Sequence, residues 1–167
     1  ESIITDDYSK IIRAERIIFP GVGAAGRAMI DLKKRGIDKA IIEAFINKRP
    51  ILGICLGTQI IMEMSEENDT QCLGIIKGKA MRFDGEHSGM KVPHMGWNSV
   101  TFRRSHPLFE GVDMDSEFYF VHSYYPVPSE TERVLGETDY ITRFASVIAQ
   151  ENLAATQFHP EKSGEPG

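Results

Sequence analysis

Apolar residues are distributed in two different ways along this chain. In the first half, short continuous runs alternate with helical periodicity, the sign of a sheet covered by helices. Glu1 to Thr5 reads as an opening strand, and Ile17-Ile18-Phe19 as another, halted by Pro20-Gly21-Val22-Gly23. Ala25, Ala28, Met29 and Leu32 then follow the i, i+3, i+4, i+7 spacing of one helix face, with Gly36 suited to its left-handed terminus. Ile37, Ala40, Ile41, Ala44 and Phe45 repeat the spacing in a second helix that Pro50 forbids from continuing. Ile51-Leu52-Gly53-Ile54 reads as a buried strand, and Ile60, Ile61 and Met64 predict a third helix ending near Asn68. In the second half, Gly78 to Phe83, Trp97 to Phe102 and Phe118 to His122 are strand-like. Phe144 to Ala149 and Leu153 to Phe158 predict a hairpin around Gln150-Glu151-Asn152, although those turn residues are not the preferred ones. The prediction is one α/β domain over residues 1–167: a mostly parallel open sheet flanked by helices, with an antiparallel portion late in the chain.

Composition narrows the function. At 167 residues a second domain of ordinary size does not fit. Nineteen Lys and Arg against twenty-four Asp and Glu give a net charge of -5, with no basic cluster to neutralise neighbouring phosphates, so nucleic acid is not an expected partner. Apolar runs such as Ile51 to Leu56 are far shorter than the roughly 18 residues of a membrane span, so no membrane association is expected. Two cysteines make neither a disulfide framework nor a tetrahedral zinc site. The expectation is a cytoplasmic enzyme or binding domain without metal or cofactor.

Gly53-Ile54-Cys55-Leu56-Gly57 lies where the buried strand meets the next helix. Gly-x-nucleophile-x-Gly is the pattern of a strand-to-helix elbow, in which glycines two before and two after the nucleophile avoid collision. The elbow lifts the side chain to the carboxyl edge of the sheet, where open α/β folds bind ligands. A helix N-terminus beside Cys55 is expected to favour the thiolate, and the Leu56 amide to face a developing oxyanion. Cys72, on a polar turn, has no such setting and is expected to be structural.

A thiolate nucleophile needs a base and a group that orients the base. His159 follows the late strand, and an extended His159-Pro160-Glu161 would turn the imidazole and the Glu161 carboxylate to one face. His94 and His122 flank strands and suit satisfied polar contacts, whereas His87 and His106 fall in polar loops. No two histidines have the helical spacing of a metal site. Pro20-Gly21-Val22-Gly23 could place further amides opposite Cys55; it lacks the Gly-Lys-Ser/Thr ending of a phosphate loop.

These motifs resemble the class I, triad-type glutamine amidotransferases. Pro20-Gly21-Val22-Gly23 is similar to the family's oxyanion-strand loop, Gly53 to Gln59 to its nucleophile segment, and Gln157 to Ser163 to the remainder of its triad. Pro93-His94-Met95-Gly96-Trp97-Asn98 and Tyr119-Phe120-Val121-His122-Ser123-Tyr124 narrow the resemblance to glutaminase subunits of imidazole glycerol phosphate synthases, from histidine biosynthesis. The resemblance implies a flavodoxin-like fold and glutamine as substrate. Cys55, His159 and Glu161 would be catalytic, with Val22, Gly23 and Leu56 supplying backbone oxyanion donors. Gly21, Gln59, Ser123 and Tyr124 would bind substrate. Ammonia would pass to a separate (β/α)8-barrel synthase in a heterodimer, with Trp97, Asn98 and Tyr119 at the interface. Family members carry another strand and helix before the position of Glu1 and more chain after Gly167, so the domain is expected to be truncated at both ends. Three other readings stay open: a different ammonia acceptor, such as one aminating a nucleotide-linked sugar; a non-catalytic regulatory module; and a cysteine peptidase or hydrolase.

Overall fold

The computed structural model describes residues 2–167. The opening residues are not a strand: Ile3 and Ile4 lie exposed, and the first element is α1 (Tyr8–Arg13), capped by the Asp7 carboxylate on the Lys10 amide at 3.1 Å. β1 (Ile17–Gly21) and α2 (Ala25–Arg35) follow as the pattern predicts. Gly36, at φ 72°, ends α2 and starts α3 (Ile37–Ile46) in one residue. β2 (Ile51–Cys55) then runs straight into α4 (Leu56–Ile60).

α4 is much shorter than the helix predicted as far as Asn68. Carbonyls that would continue it are taken from outside: the amides of Leu73, Ile75 and Gly74 bond to the oxygens of Ile60, Ile61 and Met62 at 2.9, 2.9 and 2.8 Å. Ile61 and Met62 are fully buried, so packing holds them in this crossing rather than on one helical face. The chain continues as β3 (Met64–Ser65), β4 (Thr70–Gln71), β5 (Gly78–Arg82) and the single turn α5 (Gly85–Ser88). The strand predicted over Trp97 to Phe102 is two, β6 (His94–Ser99) and β7 (Thr101–Phe102), because buried Val100 interrupts the pairing. After these come β8 (Glu117–His122), β9 (Tyr124–Pro128), β10 (Val134–Asp139), β11 (Arg143–Gln150) and β12 (Leu153–Thr156).

The main sheet has the order β1-β2-β12-β11-β10-β7. Among the described residues of this sheet only β1, β2 and β12 pair in parallel; the three pairings beyond β12 are antiparallel. The expected helix-flanked α/β sheet is thus present, with a parallel portion limited to the strands that carry the site and a larger antiparallel share. The predicted hairpin forms, with Glu151 taking a positive φ of 54° in a two-residue turn between Gln150 and Leu153. β11 is buried along most of its length. Its Ala145 and Ile148 join the cluster beneath α2 and α3, while Phe144 and Val147 join a second cluster with Phe83, Phe118, Phe120 and Phe158. β6 and β8 pair only with each other, forming a two-stranded ribbon over that second cluster.

Candidate active site

The elbow is built by contacts that exclude side chains. A Cβ on Gly57 would stand 2.2 Å from the Phe19 carbonyl oxygen, and one on Gly53 would stand 2.9 Å from the Ala155 Cβ. Both glycines are therefore required by the neighbouring parallel strands. Cys55 itself has φ 54° and ψ -107°, a conformation that favours glycine and costs about 1–3 kcal/mol in any other residue. That strain is held by β2, which is paired on both sides.

Cys55, Leu56, Val22, Gly23, Ser123, Tyr124, Gln59 and His159 line one cleft of about 350 Å³. His159 follows β12; its amide donates to the Tyr119 carbonyl at 2.9 Å, and its Nδ1 meets the Glu161 carboxylate at 2.7 Å. The expected extended His-Pro-Glu geometry is not how this pair forms. Pro160–Lys162 is a 3-10 turn that folds the carboxylate back onto the ring. Because the Glu161 carboxylate accepts at Nδ1, the imidazole carries a proton there and turns Nε2 away from it. Nε2 is buried and has no hydrogen-bond partner among the described residues.

The thiol is not activated at rest in the way the helix N-terminus suggested. Burial pushes Cys55 up to about 11; the Glu161 charge adds to this, while the Leu56 amide and Lys162 pull the other way. A five-residue helix offers a weak dipole, and desolvation outweighs it. Cys72 is likewise raised to about 11 by burial, as a structural cysteine should be.

Other expected residues are placed as follows. Gly21 pairs with Cys55 across β1 and β2 but faces Leu56, outside the cleft. Gln59 is buried, with its amide nitrogen bonded to the Tyr124 carbonyl at 2.9 Å and to Gln157 Oε1 at 3.2 Å, so it supports the cleft wall. Trp97 is 53% exposed and meets Tyr119 edge to face at 6.1 Å on the outer side of the ribbon. Asn98 points inward instead, to His94 and to the Asp139 carbonyl.

Five lining residues were missed, Glu67, Pro93, Val121, His122 and Lys162, together with Gln157, which lies outside the lining. Gln157 is fully buried and reaches the Cys55 sulfur at 3.9 Å; the period-2 spacing from His159 carried that signal. Glu67 and Lys162 bring opposite charges to the cleft rim, and nothing local in the sequence marks them.

The family description Glutamine amidotransferase class-I matches residues 3–167. The chain is 48% identical to imidazole glycerol phosphate synthase subunit HisH of Nitrosococcus oceani, covering 96% of this chain and 77% of that one. It is 45% identical to the subunit of the same name from Neisseria meningitidis serogroup A, over 100% of this chain and 81% of the relative. Among solved structures, one titled as a glutamine amidotransferase superposes with a TM-score of 0.68 at 17% identity, covering 97% of this chain and 79% of that one. The glutaminase domain of Trypanosoma brucei CTPS superposes at 0.60 and 18% identity, covering 95% and 68%. At such identities these two show a shared fold.

Proposed function

The chain belongs to the class I glutamine amidotransferases, and from that premise we propose that it is the glutaminase subunit of an imidazole glycerol phosphate synthase, releasing ammonia for a partner subunit. The observation that carries this reading is the strained Cys55 and the Glu161-bound His159 opening onto one cleft.

Glutamine is a zwitterion with a neutral amide tail, and a rim bearing Glu67 and Lys162 suits its charged head. With substrate in place, His159 Nε2 takes the Cys55 proton and the sulfur attacks the amide carbon. Charge collects on the amide oxygen, where the Leu56 amide and the Val22-Gly23 peptide would donate, each worth about 3 kcal/mol of barrier. The imidazolium, steadied by Glu161, protonates the nitrogen as the carbon–nitrogen bond breaks, leaving ammonia and a thioester. His159 then activates a water that releases glutamate and restores the thiol. A resting thiol near 11 fits an enzyme that forms its thiolate only when substrate and proton acceptor are together.

The outer face of the β6–β8 ribbon, with Met95 63% and Trp97 53% exposed and Tyr119 beside them, is the proposed seat of the synthase partner, a (β/α)8 barrel in a cytoplasmic heterodimer. It adjoins the cleft through Pro93 and Val121. Docking there would close the cleft and keep ammonia from water, where it would be lost as ammonium. Ammonia transfer in the complex would produce imidazole glycerol phosphate and AICAR, the lyase half of the reaction.

The test is glutamate release measured with the candidate barrel subunit and its acceptor present. Cys55→Ala should lose at least about a thousandfold in kcat, and a glutamine-like electrophile should label native Cys55. Full activity in Cys55→Ala would overturn the assignment.

A further inference from the structure

From His122, which lines the cleft, a chain of hydrogen bonds that the triad does not use runs outward to the ribbon. His122 Nδ1 meets the Tyr124 carbonyl at 2.8 Å, His94 Nδ1 meets His122 Nε2 at 3.0 Å, and Asn98 Nδ2 meets His94 Nε2 at 3.2 Å. The second hydrogen of the Asn98 amide goes to the Asp139 carbonyl at 3.0 Å, and its Oδ1 accepts from the Ser99 amide at 2.9 Å. Only one assignment of protons satisfies every partner. A carbonyl can only accept, so His122 carries its hydrogen on Nδ1; its Nε2 then accepts from His94 Nδ1, and His94 Nε2 accepts from Asn98. All donors point one way, from the ribbon to the cleft.

The surroundings make this arrangement informative. His94 is stacked between Tyr140 at 4.1 Å and Phe120 at 4.8 Å, and His122 lies 5.3 Å from Phe83 and 5.2 Å from Phe144. An apolar side chain would pack in such a cluster without the cost of burying imidazole nitrogens. What the imidazoles supply is directional: a fixed donor on the Tyr124 carbonyl, which also accepts from Gln59 at 2.9 Å. Two side chains thus commit that carbonyl, which belongs to the Tyr124–Tyr125 peptide and so fixes the main chain at the end of the cleft wall that Ser123 and Tyr124 form. The same ribbon holds the base, because the Tyr119 carbonyl accepts from the His159 amide at 2.9 Å and the Tyr119 amide donates to Ser163 Oγ at 3.0 Å. On β6, the inward residues His94 and Asn98 alternate with the outward Met95 and Trp97, so one strand carries both the relay and the exposed face.

We propose that His122, His94 and Asn98 are positioning residues for glutamine: a one-way relay that locks the Ser123–Tyr124 main chain against the substrate and ties that wall to the exposed ribbon face. The inference rests on reading the cleft as a glutaminase site. His94 and Asn98 stand outside the cleft lining and His122 is part of it; the relay acts through the Tyr124 carbonyl.

The experiment is steady-state glutamine hydrolysis by the complex with the barrel subunit, together with 15N NMR of the histidine rings. His122→Leu should raise the KM for glutamine about tenfold, the loss of one well-made hydrogen bond, and act on KM far more than on kcat. His122→Asn, which keeps a donor at the Nδ1 position, should recover most of the loss. Asn98→Leu, at the half-exposed end of the relay, tests the same claim without opening the core. NMR of the native protein should show both rings neutral with the proton on Nδ1. A proton on Nε2 of His122, or an unmoved KM in His122→Leu and Asn98→Leu with native turnover intact, would overturn the relay alone. Absence of glutamine hydrolysis in the native complex would instead overturn the glutaminase reading.

Discussion

Gly57→Ala tests whether the elbow is set by backbone contact. The new Cβ would lie 2.2 Å from the Phe19 carbonyl oxygen. An easy carbon–oxygen approach is about 3.3 Å, so β1 or the start of α4 must retreat by about 1 Å. β1 is held to β2 from Ile17↔Ile51 through Gly21↔Cys55, which leaves the start of α4 to move and carry Cys55 with it. Alanine is the better helix former by about 1 kcal/mol, but overpacking a filled site costs about 1–3 kcal/mol and is the larger effect at such a short contact. A net loss of up to about 2 kcal/mol lowers Tm by up to roughly 5 °C in a chain of this size. The catalytic loss should be larger, since a displacement of about 1 Å at the reacting group costs about a hundredfold. Thermal unfolding and kcat/KM with the barrel subunit read the two effects. Gly111→Ala is the control: no atom of the described residues lies within 4 Å of its Cβ position, and its φ of 81° is the strain it carries, so stability should dip slightly and activity hold. Native Tm and native kcat/KM in Gly57→Ala would refute the close approach.

At Cys55 itself, Cys55→Gly should be more stable than Cys55→Ala by about 1 kcal/mol, because φ 54° and ψ -107° strain any Cβ; equal chemical-denaturation midpoints would remove the strain argument. On the alkaline side, a thiol held protonated in the fold binds its proton more tightly than in the unfolded chain. Its stabilisation is therefore complete below the ordinary thiol value of 9.0 and is lost between there and about 11. Cys55 alone should contribute about 3 kcal/mol to that loss, and Cys55→Ala should flatten the decline of Tm over that range. On the acid side, burial holds His94 down to about 4 and His122 down to about 3. The unfolded chain then binds protons first, so stability is present above the ordinary value of 6.5 and falls as pH drops toward about 4 for His94 and about 3 for His122. His122→Leu should make that fall shallower; an unchanged acid slope would mean the ring is not held neutral.

Much of this protein is legible along the chain because its causes are local. Helical spacing from Ala25 to Leu32, the Gly36 stop and the apolar run at Ile51 each act within one turn or strand, so α2, α3 and β2 follow from neighbours alone. The elbow glycines and the nucleophile between them are also adjacent in sequence, so Cys55 could be singled out, and His159 with Glu161 could be paired by proximity. The third helix failed for a reason no local pattern contains: amides of Leu73 to Ile75 claim its carbonyls. The same distance in sequence hid the rest of the site. Gln157 on the sulfur, the charges of Glu67 and Lys162, and the relay from Asn98 to Tyr124 join segments that only folding brings together. The thiol shows the limit most plainly. Sequence supplied the residue and the helix start beside it, whereas the sign of its pKa shift was decided by how much protein closed over the sulfur. Desolvation is a sum over everything nearby in space, and only the tertiary structure fixes what is nearby.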